Sequence, residues 1–187
     1  MKISISPATF ILWICMIATT PLQQLCACIA AAGIHELGHM IAAKLLSIDL
    51  AHLKLDVLGA RFVTTGKLCS YPALVTLCFA GPFLNFLCFG ITLPIHQSSE
   101  WVREFCLSSL SLGFLNLIPI EGFDGGRILH GLLSMLLPVH VTERICTIFS
   151  FFCLLCMWLL SVWLLLRSGS SLTLFVFSCC LFGMLFT

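Results

Sequence analysis

Ile34-His35-Glu36-Leu37-Gly38-His39-Met40 is a His-Glu-x-x-His segment set inside a long apolar run, with no other charged residue close by. On a helix, residues four apart lie about one turn above each other and roughly 40° round the axis. His35 and His39 therefore present two imidazoles to one metal ion, and Glu36 beside them is placed to act on water as a general base rather than as a ligand. A pattern with so few defined positions arises by chance in polar sequences. Here the setting argues otherwise, because each ionisable side chain in a helix at hydrocarbon depth costs about 2.5 kcal/mol or more unless it serves a site.

The 187 residues are 60% hydrophobic and 9% charged, far below the roughly 25% charge of soluble domains. That balance reads as an all-α polytopic membrane protein whose immediate partner is the lipid bilayer. A formal charge of +1 and the lack of a basic or acidic tail argue against nucleic-acid binding. Most of the 12 cysteines lie inside apolar runs, where a thiol packs as a small hydrophobe, so no disulfides are expected. Cys26-x-Cys28, Cys153-x-x-Cys156 and Cys179-Cys180 lack clustered histidines and read as packing residues. Lys2 followed by an apolar stretch resembles a signal peptide, but without a small-x-small cleavage site an uncleaved first span is expected.

A crossing needs about 20 apolar residues, and on that measure the chain divides into about six segments. They fall near 8–22, 23–46, 71–95, 105–137, 145–166 and 172–187. The second carries the His-Glu-x-x-His segment and exits at Lys44 and Asp49. Between the second and third, Leu53-Lys54-Leu55-Asp56-Val57 alternates, and Gly59 separates it from Phe62-Val63-Thr64-Thr65. Period two around a central glycine predicts a small β-hairpin, with a solvated loop as the alternative. The third segment contains Ala80-Gly81-Pro82 and Asn85, where small residues allow close backbone approach and Pro82 would kink or open the helix. The fourth reaches Asn116-Leu117-Ile118-Pro119 and is interrupted by Glu121-Gly122-Phe123-Asp124-Gly125-Gly126-Arg127. Such a break is tolerated in a membrane only where protein buries it or it lines a wet cavity. Pro138 to Arg144 reads as a loop. With six alternating spans and a cytoplasmic N-terminus, Lys2, Lys44, Lys54, Arg61, Lys67 and Arg144 fall inside, while Arg103 and Arg167 fall outside. This matches the positive-inside rule and puts the exit of the His-Glu-x-x-His helix on the cytoplasmic side of the cell membrane.

A catalytic zinc site normally takes three protein ligands and keeps one position for water. The candidates for a third ligand are Asp124, Glu121, His130 and Asp56. Asp124, flanked by Gly125 and Gly126 at the helix break, would complete a His2Asp set, although a glycine-flanked aspartate is also a common turn residue. Spacing alone leaves both readings open.

His35-Glu36-Leu37-Gly38-His39 followed by Asn116-x-x-Pro119-x-x-x-x-Asp124-Gly125 resembles the paired signature of the site-2 protease family, the intramembrane zinc metalloproteases of peptidase family M50. Ala80-Gly81-Pro82 with Asn85 is similar to a recurrent feature of that family. The order of the motifs and the intervening hairpin resemble its compact six-span branch, typified by the sporulation protease that processes a sigma-factor precursor. The resemblance covers residues 20–137 and departs where Glu121-Gly122 stands in place of a second proline. No cytoplasmic regulatory domain of the kind some relatives carry is expected.

The resemblance implies a single membrane-embedded domain over residues 1–187, with a three-helix metalloprotease core in about 20–137 and further spans in 145–187. It implies that His35, His39 and Asp124 bind one Zn2+ per chain, that Glu36 activates water, and that Asn116 orients substrate or stabilises the oxyanion. The hairpin around Gly59 would present an unwound segment of a membrane-protein or membrane-anchored peptide substrate, and regulatory membrane proteins are conceivable partners. Glu121 reads either as a gate or as a solvated carboxylate, Arg127 as a partner of Asp124 or Glu121 or as an interfacial charge, and His130 as a supporting or a packed histidine. The alternative functions are a membrane metal-ion transporter and a non-catalytic relative that binds membrane segments; ligands concentrated at two points, and the intact Glu36, argue against them.

Overall fold

A computed structural model describes residues 14, 17, 20–48, 50–56, 59–64, 70–168 and 172–185, with side chains described outside the strands and outside 172–174, 180 and 183–185. The order is α1 (Leu22–Leu45), β1 (Leu50–Asp56), β2 (Gly59–Thr64), α2 (Tyr71–Thr92), α3 (Glu100–Leu117), α4 (Asp124–Ser134), α5 (Val139–Ser168) and α6 (Leu172–Leu185), with one 3-10 turn at Leu93–Ile95. Among the described residues three helices are long and apolar enough to cross a membrane, Leu22–Leu45, Tyr71–Ile95 and Val139–Arg167. The sequence reading has six crossings. Its first, near 8–22, lies almost wholly outside the described residues, as do Lys2, Asp49 and Lys67. The α3 helix carries Glu100, Arg103 and Glu104 in its first turns, and α4 is only 11 residues long.

Helices α1, α2 and α3 pack against one another, α4 lies on α2, and α5 and α6 follow outward from α4. The buried stripe of α1 is Ala27, Ala31, His35, Gly38, His39, Ala42 and Ala43. Small side chains at helical spacing allow close approach, which is how helices associate where lipid removes most of the hydrophobic drive. Gly38 shows how close the approach is: a Cβ there would lie 2.5 Å from the carbonyl oxygen of Ala80 on α2. Ala27 and Ala31 pack on Phe105 of α3, and Ala42 and Ala43 on Leu77 of α2. Phe83, Ile91, Phe114, Phe152 and Leu166 instead face outward, as side chains against lipid do.

The helix α2 runs through Pro82 without a break in its assigned span, although the missing N–H of the proline removes the rung to Cys78. The strands β1 and β2 pair antiparallel, with Lys54 opposite Arg61 and Asp56 opposite Gly59, and an irregularity between Leu50 and His52.

The interruption falls earlier than the glycine-rich stretch had indicated. Helix α3 ends at Leu117, and Ile118 is extended (φ −63°, ψ 132°) because the ring of Pro119 disfavours helical backbone in the residue before it. Glu121 and Phe123 form an isolated bridge, and Gly122 has φ 107°. Asp124 is therefore not in the loop but is the first residue of α4. Pro138 to Arg144 is likewise mostly helical: the carbonyl of Pro138 accepts from the amides of Val141 and Thr142 as α5 begins. The α5–α6 pair closes over the interruption, burying Ile120 and Phe123 against Leu154 and Leu181.

Candidate metal centre

The helical period puts His35 and His39 on the stripe of α1 that faces α2, and the start of α4 brings Asp124 to the same point. All three are buried, with 6%, 6% and 8% of their surface exposed. His35 Nε2 lies 3.0 Å from Asp124 Oδ2, His39 Nε2 lies 3.1 Å from the same oxygen, and the two Nε2 atoms are 3.1 Å apart. The imidazole rings stand at 81° to each other, edge to face.

The far side of each ring determines what the near side can do. His39 Nδ1 is 2.9 Å from the carbonyl oxygen of Leu77. A carbonyl only accepts, so Nδ1 carries the hydrogen and Nε2 of the neutral ring keeps its lone pair. His35 Nδ1 lies 3.3 Å from the side-chain amide of Asn85, which is fully buried. With the nitrogen of Asn85 toward the ring, its Oδ1 has no hydrogen-bond partner; with the amide turned, the oxygen accepts from Nδ1–H of His35. His35 then also offers a lone pair at Nε2. Partners of this kind hold ligating histidines in one tautomer and orientation.

Two imidazole lone pairs and a carboxylate oxygen thus converge on one point, and a single proton could serve only one edge of the triangle. Ligand atoms around a tetrahedral zinc ion with bonds of about 2.0–2.1 Å lie roughly 3.3 Å apart. The observed separations of 3.0 to 3.1 Å fit that size. Asp124 also occupies the first turn of α4, where the amide dipoles favour negative charge. Among the described residues this is the only group of three or more His, Cys, Asp or Glu side chains able to hold a metal ion.

None of the other sequence candidates belongs to this cluster of three. Glu36 is half-buried on the same helix. The amide of Asn116 donates to the carbonyl of Leu112 at 3.0 Å, one turn back on α3. Glu121, Arg127 and His130 line a separate cavity of about 540 Å³ that Glu143, Thr147 and Ser150 also border. The side chain of Asp56 lies outside the described residues. In the sequence Gly81 and Asn85 stand out as small residues for close packing and as part of the family resemblance, with no role at the metal cluster assigned to either; an amide side chain inside an apolar run, four residues after a glycine, was the available signal.

Fold and site together define a class: a helical, membrane-embedded protein with a buried His-His-Asp cluster between its helices. Residues 95–160 match the model described as peptidase family M50. The solved structure of the site-2 protease from Methanocaldococcus jannaschii is similar over 98% of this chain and 88% of that one, with 20% sequence identity and a TM-score of 0.69. No curated protein matches the sequence. The two matches support the site-2 protease family, in agreement with the resemblance carried by the motifs.

Proposed function

We propose that this protein is an intramembrane zinc metalloprotease that hydrolyses peptide bonds within or near transmembrane segments of membrane-protein substrates. The observation that carries the reading is the convergence of His35, His39 and Asp124, from chain segments far apart, to within 3.1 Å of one another. In this reading those three side chains hold one zinc ion, with an open position for water and substrate. When bound, the ion supplies a Lewis acid for the scissile carbonyl and makes nearby water more acidic.

Glu36, between the two histidines in sequence, accepts the proton of the attacking water and returns it to the leaving amine. Asn116 uses one amide N–H on Leu112 and has a second N–H and an oxygen left for the substrate backbone. The peptide bond to be cut must leave its helix first, because its amide and carbonyl are otherwise engaged. The β1–β2 pair between α1 and α2 presents such an unwound segment. The chain acts as one six-span unit of the cell membrane, with α3, the 118–123 interruption and α4 forming a single crossing and the end of α1 facing the cytoplasm. Regulated proteolysis of membrane-anchored proteins is the matching biological role.

The test is coexpression with membrane-protein substrates, comparing the natural chain with Glu36→Gln. Cleavage only by the natural chain is expected; equal cleavage by both would sink the mechanism. Metal uptake into sealed vesicles that survives Glu36→Gln would point instead to transport.

A further inference from the structure

The segment that leads into Asp124 has little backbone support of its own. Between the end of α3 at Leu117 and the start of α4 at Asp124, its internal backbone bonds are Ile120 N–H to Ile118 O at 2.8 Å and Phe123 N–H to Ile120 O at 3.0 Å. Gly122, with φ 107°, sits in the middle, and glycine leaves a chain more freedom than any other residue. Helix α5 supplies an external tie. Ser150, 1% exposed, accepts from the Glu121 N–H at 2.8 Å, and its hydroxyl hydrogen points to the carbonyl of Pro119 at 3.4 Å. One hydroxyl thus holds two peptide groups of the first half of the interruption, at Pro119 and Glu121, to α5. One helical turn further along, Leu154 packs on Ile120 and Phe123, so the same face of α5 grips the loop by a polar and an apolar contact.

The grip matters because the start of α4 has no room to move independently. A Cβ on Gly125 would meet the carbonyl of Leu117, and one on Gly126 the carbonyl of Ile120. The loop backbone therefore lies directly against the first turn of α4, and a shift of residues 119–121 is transmitted to the carboxylate of Asp124.

We propose that Ser150 is a positioning residue: by tying the amide of Glu121 and the carbonyl of Pro119 to α5, it holds Asp124 at the distance from His35 and His39 that a metal ion requires. This rests on the reading of Asp124 as a metal ligand. Ser150 touches neither metal nor substrate in this account, and its effect is on the geometry of the third ligand.

The experiment measures Zn2+ affinity of the purified full chain by competition with a chromophoric chelator, and the visible ligand-field bands of Co2+ bound in its place. Ser150→Ala should weaken Zn2+ binding about tenfold or more, within the range seen when groups supporting a ligand are removed, and should shift the Co2+ bands. Ser161→Ala is the matched control. It deletes a buried serine of the same helix that is bonded to Trp158 and to Ser178 of α6 instead of the loop, so affinity and spectrum should stay as in the natural chain.

Glu121→Pro removes the same hydrogen bond from its other end. It should weaken Zn2+ binding comparably, and Ser150→Ala should then add little on top of it. If Ser150→Ala does not fold, Glu121→Pro against Ser161→Ala decides the matter. Natural affinity and spectrum in Ser150→Ala, additive effects in the double variant, or an equal loss in Ser161→Ala would each overturn the assignment. Asp124→Asn, run alongside, separates the two ideas. If it loses zinc while Ser150→Ala keeps it, only the positioning role fails. If it binds like the natural chain, or if the natural chain binds no zinc, the metal reading fails and the role of Ser150 with it.

Discussion

Gly81 stands so close to His39 that a methyl group on its Cα would lie 2.5 Å from Nε2 of His39 and 2.8 Å from Nε2 of His35. The absence of a side chain at this one position of α2 makes the room in which the two imidazoles meet Asp124. Helix packing and site construction are here the same contact.

Gly81→Ala should therefore abolish high-affinity zinc binding while the helices remain membrane-inserted. Forcing a methyl into a packed site costs about 1–3 kcal/mol, and the relief available is displacement of the histidines. Zinc content of the purified protein, with thermal stability measured in the same preparation, checks this; full zinc content would show that α2 can move away.

Asn85→Ala removes the group that faces His35 Nδ1. Loss of such a partner lowers metal affinity by about 10–100-fold, and Asn85→Asp, which keeps an acceptor, should retain more of it. The comparison of the two variants by zinc titration is decisive, since a mere packing role would make Asp, with its charge, the worse of the two.

Glu36→Gln should keep zinc and lose proteolysis by about 10²-fold to 10⁴-fold, the usual scale for a general base. Single-turnover cleavage of a membrane substrate, together with the zinc content of the same sample, gives both quantities. Loss of zinc alongside activity would make Glu36 part of the metal cluster.

Asp124→Asn should reduce both zinc content and activity, and a chelator should reproduce that loss in the natural chain, reversibly on adding Zn2+. An amide is a far poorer zinc ligand than a carboxylate, so unchanged zinc content would rule out Asp124 as the third ligand.

Local chemistry made several features legible. The His35–His39 pairing follows from the helical period, the membrane setting from long apolar runs, and a break near residue 119 from a proline that acts on its own backbone and the residue before it. The alternation flanking Gly59 reads as two strands in the same way, and the structure pairs Leu50–Asp56 with Gly59–Thr64. The extent of the break was less legible. Gly125 and Gly126 look like loop residues in sequence, yet they are helical, because the first turn of α4 must pack against the carbonyls of Leu117 and Ile120.

The amino-acid order alone determined that two imidazoles and a carboxylate share one face or one turn of an apolar helix, because those relations depend on a few neighbouring residues. Only the tertiary packing decided that Asp124 meets them, that Leu77 and Asn85 orient the rings, and that Ser150 ties the loop. These contacts join segments far apart in the chain, and how closely two such segments approach is a property of both surfaces together.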